Sequence, residues 1–179
     1  FLDEANEALV RKLRTTVESG DELAARIADT IDFAQVLKRA SRAWDGGYHL
    51  GGIVGHGLSF TFRDPNGIRP AYWYEDDEVV AAAAERVALV TCFDVADEAV
   101  RELQPGHALI IDHRANASEV EILPPGEKRS CSFERIYFSR GNDRDIYRER
   151  KALGKELVPA LLKAIDEDIE HTVISYVPN

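Results

Sequence analysis

Apolar residues recur at helical spacing through the first forty positions. Phe1, Leu2, Ala5, Leu9, Val10 and Leu13 fall three to four residues apart, the interval that lines up one face of a helix. No Ser, Thr, Asp or Asn stands before them as a cap, so the pattern reads as starting inside a helix. Ser19-Gly20 is expected to close it, glycine suiting the left-handed residue after a helix end. A second amphipathic run carries Leu23, Ala24, Ile27, Ala28 and Ile31. A third begins at Asp32, with Gln35 spaced as in a capping box, and turns Phe33, Val36, Leu37, Ala40 and Trp44 inward.

Asp45-Gly46-Gly47 breaks the helical pattern, and the period then falls to two. Leu58, Phe60 and Phe62 alternate with Ser59, Thr61 and Arg63, the signature of a half-buried antiparallel strand. Further strands are expected at Tyr48 to Val54, Ile68 to Tyr74, Glu78 to Ala82, His107 to Asp112 and Ser118 to Leu123, with turns at Gln104-Pro105-Gly106 and Pro124-Pro125-Gly126. The polar, proline-rich stretch Pro124 to Ser130 is the expected domain boundary. Beyond it the pattern predicts a short strand, Phe133 to Ser139. A long helix follows from about Asp145 to Ile165, with Leu153, Leu157, Leu161 and Ile165 in line and a kink or restart at Pro159. A last strand is expected at His171 to Val177, and helix followed by strand suggests the opening of an α/β domain.

Composition narrows what such a chain does. The 179 residues are 45% hydrophobic and 30% charged, a globular balance, and no apolar run approaches the roughly 20 residues that span a bilayer. A net charge of -10 repels phosphate backbones, and the basic residues are interleaved with acids, which argues against a nucleic-acid partner. Cys92 and Cys131 fit neither a disulfide framework nor a zinc knuckle, making a reducing, cytoplasmic setting the default. The five histidines are scattered without ligand spacing, so a metal hydrolase is disfavoured. Asp76-Asp77 and Glu167-Asp168 read as solvated loops. Gly51-Gly52 through Gly57 lacks the spacing of a dinucleotide fingerprint or P-loop.

The octapeptide Arg63-Asp64-Pro65-Asn66-Gly67-Ile68-Arg69-Pro70 stands out. Asp64-Pro65-Asn66-Gly67 suits a type I turn: Asp accepts at the first position, Pro presets φ at the second, Gly ends it. Arg63 and Arg69 could tie down the Asp64 carboxylate or face an anionic ligand. Surface hairpins commonly carry such charges, and the structural role is the reading preferred.

From Gly46 to Pro70 the chain resembles the late part of the glutaminase domain of amidophosphoribosyltransferases. Three landmarks follow in that family's order. Ala84-Glu85 with Ala88-Leu89 resembles an Ala-Ser-Glu segment, Leu103-Gln104-Pro105-Gly106 a Pro-Gly-Glu turn, and Cys131-Ser132-Phe133-Glu134-Arg135-Ile136-Tyr137-Phe138-Ser139-Arg140 the join to the phosphoribosyltransferase domain. Ala84 replaces the usual serine and Gly141-Asn142 the usual Pro-Asp, which marks a divergent branch.

The resemblance implies an α+β chain. Residues 1–123 would be the distal part of an αββα sandwich of the amino-terminal-nucleophile (Ntn) type, 124–143 a junction, and 144–179 the first helix and strand of a truncated phosphoribosyltransferase domain. It implies glutamine and phosphoribosyl pyrophosphate as the parent enzyme's substrates, magnesium for its phosphoribosyl transfer, and a homo-oligomer. In such enzymes an amino-terminal cysteine hydrolyses glutamine. Here position 1 is Phe1, and the oxyanion loop and the arginine and aspartate that grip glutamine are missing. No catalytic residue and no cofactor is therefore expected in this piece. Arg63, Asp64, Asn66, Gly67, Arg69 and Glu85 are expected to be structural, and Tyr137 and Arg140 to brace a domain interface. Cys131 stands where some members hold an iron–sulfur cluster and others keep only a thiol, and the buried structural thiol is preferred. The competing reading is a stand-alone, non-catalytic module that kept this fold for binding or assembly.

Overall fold

The computed structural model describes residues 1–175, in two compact units, Phe1–Glu134 and the residues from Arg135 onward. The first unit opens with helices α1 (Leu2–Leu13), α2 (Gly20–Thr30) and α3 (Phe33–Ala40). Ser19-Gly20 does not close α1. It opens α2, because the Ser19 hydroxyl accepts the Glu22 amide at 3.1 Å while the Glu22 carboxylate accepts the Glu18 amide. A short polar side chain is worth more as an N-cap than the adjacent glycine is as a stop. At α3 the expected cap is present, the Asp32 carboxylate accepting the Gln35 amide at 3.0 Å.

Strands β1 (His49–Ile53), β2 (Ser59–Arg63), β6 (His107–Ile111) and β7 (Ala117–Glu121) form an antiparallel sheet in the order β1-β2-β6-β7. A second antiparallel sheet, β4-β3-β5, joins β3 (Tyr72–Glu75), β4 (Val80–Ala83) and the two-residue β5 (Arg101–Glu102). The strand expected from Ile68 starts only at Tyr72, because Ile68 and Arg69 give their amides to Asp64 instead of a neighbouring strand. Asp76, expected in a solvated loop, organises the β3–β4 turn by accepting the amides of Glu78 and Val79 and the Tyr74 hydroxyl.

The strand period of two sorts side chains into three cores. Phe62 and Ala108 point to one face of the four-stranded sheet and pack with Phe33, Val36 and Leu37 of α3. Leu109 points to the other face, against Trp73 of the second sheet and against Ala71 and Leu103, which flank its strands β3 and β5. The far face of that sheet packs Tyr74 against Leu89 of α4 (Arg86–Phe93). The order of layers is helix, sheet, sheet, helix. Sequence periodicity missed α4, whose Val87, Val90 and Thr91 are β-branched and favour strand over helix when packing is ignored.

In the second unit, α5 (Arg144–Ala164) is capped by Asp143, whose carboxylate accepts the amides of Asp145 and Ile146. The helix runs through Pro159 without restarting, leaving only the carbonyl four residues back without its helical donor. The expected strand Phe133 to Ser139 is instead a π-helical turn, Glu134–Phe138. Its backbone is held locally, with the Ser139 hydroxyl on the Arg135 carbonyl at 2.5 Å and Arg150 donating to the carbonyls of Ile136 and Ser139. Residues 172–175 form no strand, and Tyr176 and Val177, the rest of the expected last strand, lie outside the described residues. No described helix is long and apolar enough to cross a membrane.

Candidate functional site

Asp64-Pro65-Asn66-Gly67 closes as a turn with the Gly67 amide on the Asp64 carbonyl at 3.1 Å. Asp64 is fully buried. One carboxylate oxygen accepts the amides of Asn66 and Ile68 at 3.1 and 2.9 Å, and the other accepts that of Arg69 at 2.9 Å. A buried carboxylate needs such donors to offset its lost hydration. The Asp64 carbonyl also accepts the Gly106 amide, and its own amide donates to the Tyr48 carbonyl. Burial, and then the Asp64 charge, push the Tyr48 hydroxyl above its ordinary pKa.

The flanking arginines have other partners than the turn carboxylate. Arg63, 2% exposed, donates through Nε to the Arg69 carbonyl at 2.7 Å. Its Nη1 reaches the Leu103 carbonyl at 2.6 Å and the Glu102 carboxylate at 2.8 Å. The guanidinium thus binds β2 to β5 and to the start of the Gln104-Pro105-Gly106 turn, using the planar fork that only arginine offers. Arg69 pairs with Glu134. The next turn is equally constrained: Gly106 has φ +76°, its amide serves Asp64, and its carbonyl accepts the amides of Ile122 and Leu123. A Cβ there would lie 2.2 Å from the Leu123 carbonyl oxygen.

Beside this cluster, His49, Ser59 and Thr61 line an open cleft of about 410 Å³ whose lining also takes in Ala82, Ala83 and Ala84. His49 Nε2 lies 2.5 Å from Thr61 Oγ1. Burial first, then the charges of Arg63 and Arg69, hold the imidazole below its ordinary pKa, so the neutral ring is favoured. The scattered-histidine reading passed over His49. Its alternation with Arg63 across β1 and β2, where the two are direct partners, is visible only once the register is known.

Glu85 is the residue before α4, and its carbonyl accepts the Ala88 amide. Tyr137 is 69% exposed and stacks edge-on against Phe138, while the Arg140 carbonyl accepts the Asp143 amide. Both are in the second unit. Cys92 is an exposed thiol on α4, and Cys131 is partly exposed, not the buried thiol expected.

No family model matches the chain. It is 31% identical over 149 residues to the amidophosphoribosyltransferase of Saccharomyces cerevisiae, an alignment covering 78% of this chain and 29% of that protein. It is also 31% identical over 136 residues to the amidophosphoribosyltransferase of Escherichia coli, covering 70% of this chain and 26% of that protein. Among solved structures, the glutamine phosphoribosylpyrophosphate amidotransferase of B. subtilis complexed with ADP and GMP matches with a TM-score of 0.50 at 24% identity. That match covers 76% of this chain and 30% of that one. A structure described as the allosteric regulatory enzyme of purine biosynthesis matches with a TM-score of 0.51 at 23% identity and the same coverage.

The mixed α/β fold is thus one shared with these two solved structures, the first of them a glutamine phosphoribosylpyrophosphate amidotransferase. Over about three-quarters of its length the chain is homologous to the amidophosphoribosyltransferases. It spans about 30% of the length of these curated relatives.

Proposed function

We propose that the chain is part of a glutamine-dependent amidophosphoribosyltransferase of a divergent branch. It forms much of an Ntn-type glutaminase sandwich and the opening of a phosphoribosyltransferase domain. The observation that carries this reading is the homology itself, which runs through the Arg63–Pro70 turn and the landmarks after it. The helix, sheet, sheet, helix layering supports the sandwich.

In the whole enzyme one amide C–N bond of glutamine is hydrolysed, giving one glutamate and one ammonia. The ammonia nitrogen then bonds to the ribose C1 of phosphoribosyl pyrophosphate as the C1–O bond to pyrophosphate breaks, and a proton is lost to solvent. Magnesium would neutralise the departing pyrophosphate. The 179 residues supply scaffold to this chemistry and not the reacting groups. Their thiols, Cys92 and Cys131, are internal and carry no free amine to act as base. Loss of the nucleophile lowers turnover on the order of a million-fold, so this piece is inert alone. Glutamine and phosphoribosyl pyrophosphate are the whole enzyme's partners, and cytoplasm its setting.

The test compares the full-length protein with residues 1–179 alone. The former releases glutamate from glutamine and consumes phosphoribosyl pyrophosphate, and the latter does neither. Glutaminase activity in the 179 residues would refute the scaffold role. A reading frame starting with Met next to Phe1 and stopping next to Asn179 would favour a stand-alone module.

A further inference from the structure

Residues 124–130 form no regular secondary structure, yet they are held closely. The Gly126 amide donates to the Pro65 carbonyl at 2.8 Å and the Arg129 amide to the Asn66 carbonyl at 2.8 Å. Asn66 Nδ2 donates to the Glu127 carbonyl at 3.0 Å. Carbonyls at the apex of a tight turn ordinarily face water; here both central residues of the turn bind this segment. The fit is close as well as polar, because a Cβ on Gly126 would sit 2.6 Å from Asn66 Nδ2. Beyond that segment, Glu134, the last residue of the first unit, pairs with Arg69 of the same octapeptide. The turn itself cannot shift, with Asp64 and Arg63 buried and bonded beneath it.

We propose that Asn66 is a positioning residue. It fixes the path by which the chain leaves the first unit, and in the full-length enzyme that fixed path is needed for ammonia released from glutamine to reach the phosphoribosyl acceptor before escaping to solvent. The second half rests on the function proposed above. The first half rests only on the hydrogen bonds and the close approach.

The experiment uses full-length protein carrying Asn66→Ala, Gly126→Ala, or both, and reads two quantities. Hydrogen exchange at the Gly126 and Arg129 amides reports the docking. Each single variant lowers protection there about fivefold to tenfold, the scale of one lost neutral hydrogen bond. The double variant is no worse than Asn66→Ala, since the added methyl no longer meets the amide. Pyrophosphate released per glutamate, with glutamine as donor, reports the coupling. It falls below the wild-type ratio in both single variants, while the glutaminase rate and the rate with added ammonium stay at wild-type levels.

Unchanged protection in Asn66→Ala would overturn the docking role. Lowered protection with an unchanged ratio would overturn the coupling role. A wild-type protein with neither activity would refute the enzyme reading and the coupling with it, and the exchange data would then decide the docking role on their own.

Discussion

At the scale of single residues, the turn shows how far local chemistry specifies structure. The parts that the Asp64 carboxylate, Pro65 and Gly67 play in closing the turn follow from their types and order, because those bonds span five residues or fewer. The partners of Arg63 do not, since nothing in a linear sequence says that its guanidinium will meet carbonyls and a carboxylate some forty residues on. The division of labour at Asp64 gives a sharp prediction. Asp64→Asn keeps the shape but must place an NH2 group either against the amide of Arg69 or against those of Asn66 and Ile68. Two donors facing each other leave a buried group unsatisfied, so the substitution destabilises by about 1–3 kcal/mol. Urea denaturation of the 179-residue chain measures it, and a loss under 0.5 kcal/mol, the ordinary surface scale, would show that the carboxylate is dispensable.

Among the elements, those with unambiguous periods were legible: α3 with its Asp32 cap, the β2 alternation and the long α5. Errors arose where two local rules competed. Ser19-Gly20 satisfies a stop rule and a start rule, and the start won because Ser19 finds the Glu22 amide. Ser19→Ala is therefore expected to lower helicity at α2 and cost about 1 kcal/mol, seen as a lower midpoint in thermal unfolding. If Gly20 were instead acting as a stop for α1, the serine substitution would be neutral. The π-helical turn at Glu134–Phe138 replaced a strand because a run of apolar and aromatic residues carries no decisive period. Within α5, Gly154 is helical and a Cβ there meets nothing within 4 Å. Gly154→Ala should raise helix stability by about 0.8–1 kcal/mol, measured by circular dichroism on heating, and no gain would mean that α5 does not limit the unfolding observed.

For the whole molecule, the layer order was expected through resemblance to a family and not through periodicity. Alternation tells which side chains share a face; it does not tell which sheet covers it. The same limit hid His49, whose environment is made first by burial and then by the charges of Arg63 and Arg69 from elsewhere in the chain. Its lowered pKa has a definite consequence for stability. Above pH 6.5, the ordinary imidazole value, the ring is neutral whether folded or unfolded and contributes no pH dependence. As pH falls below 6.5 the unfolded chain takes up the proton first, so stability declines, and the decline levels off once the lowered folded value is passed. Asp76 and Asp112 are held below the usual carboxylate range, by the Tyr74 hydroxyl and the Asn116 side chain foremost. Their stabilisation is present above the unfolded carboxylate value and is lost only in stronger acid. Between pH 7.5 and 5.5, then, His49→Gln should lose less stability than wild type in denaturant titrations. An identical slope would remove His49 as the cause.

The two sets of bonds around the turn also differ in when they can form. Asp64 closes on Asn66, Ile68 and Arg69, separations of two to five residues, whereas Arg63 must await Leu103 at 40 residues and Asn66 must await Glu127 at 61. Short loops close quickly and long ones late. Asp64 substitutions should therefore slow folding, and substitutions of Arg63 or Asn66 should chiefly hasten unfolding, so that one octapeptide is both an early nucleus and the last fastening of its unit. Stopped-flow folding and unfolding rates separate the two, and equal slowing of folding by Asp64→Asn and Arg63→Lys would show that the turn and its distant partners assemble together.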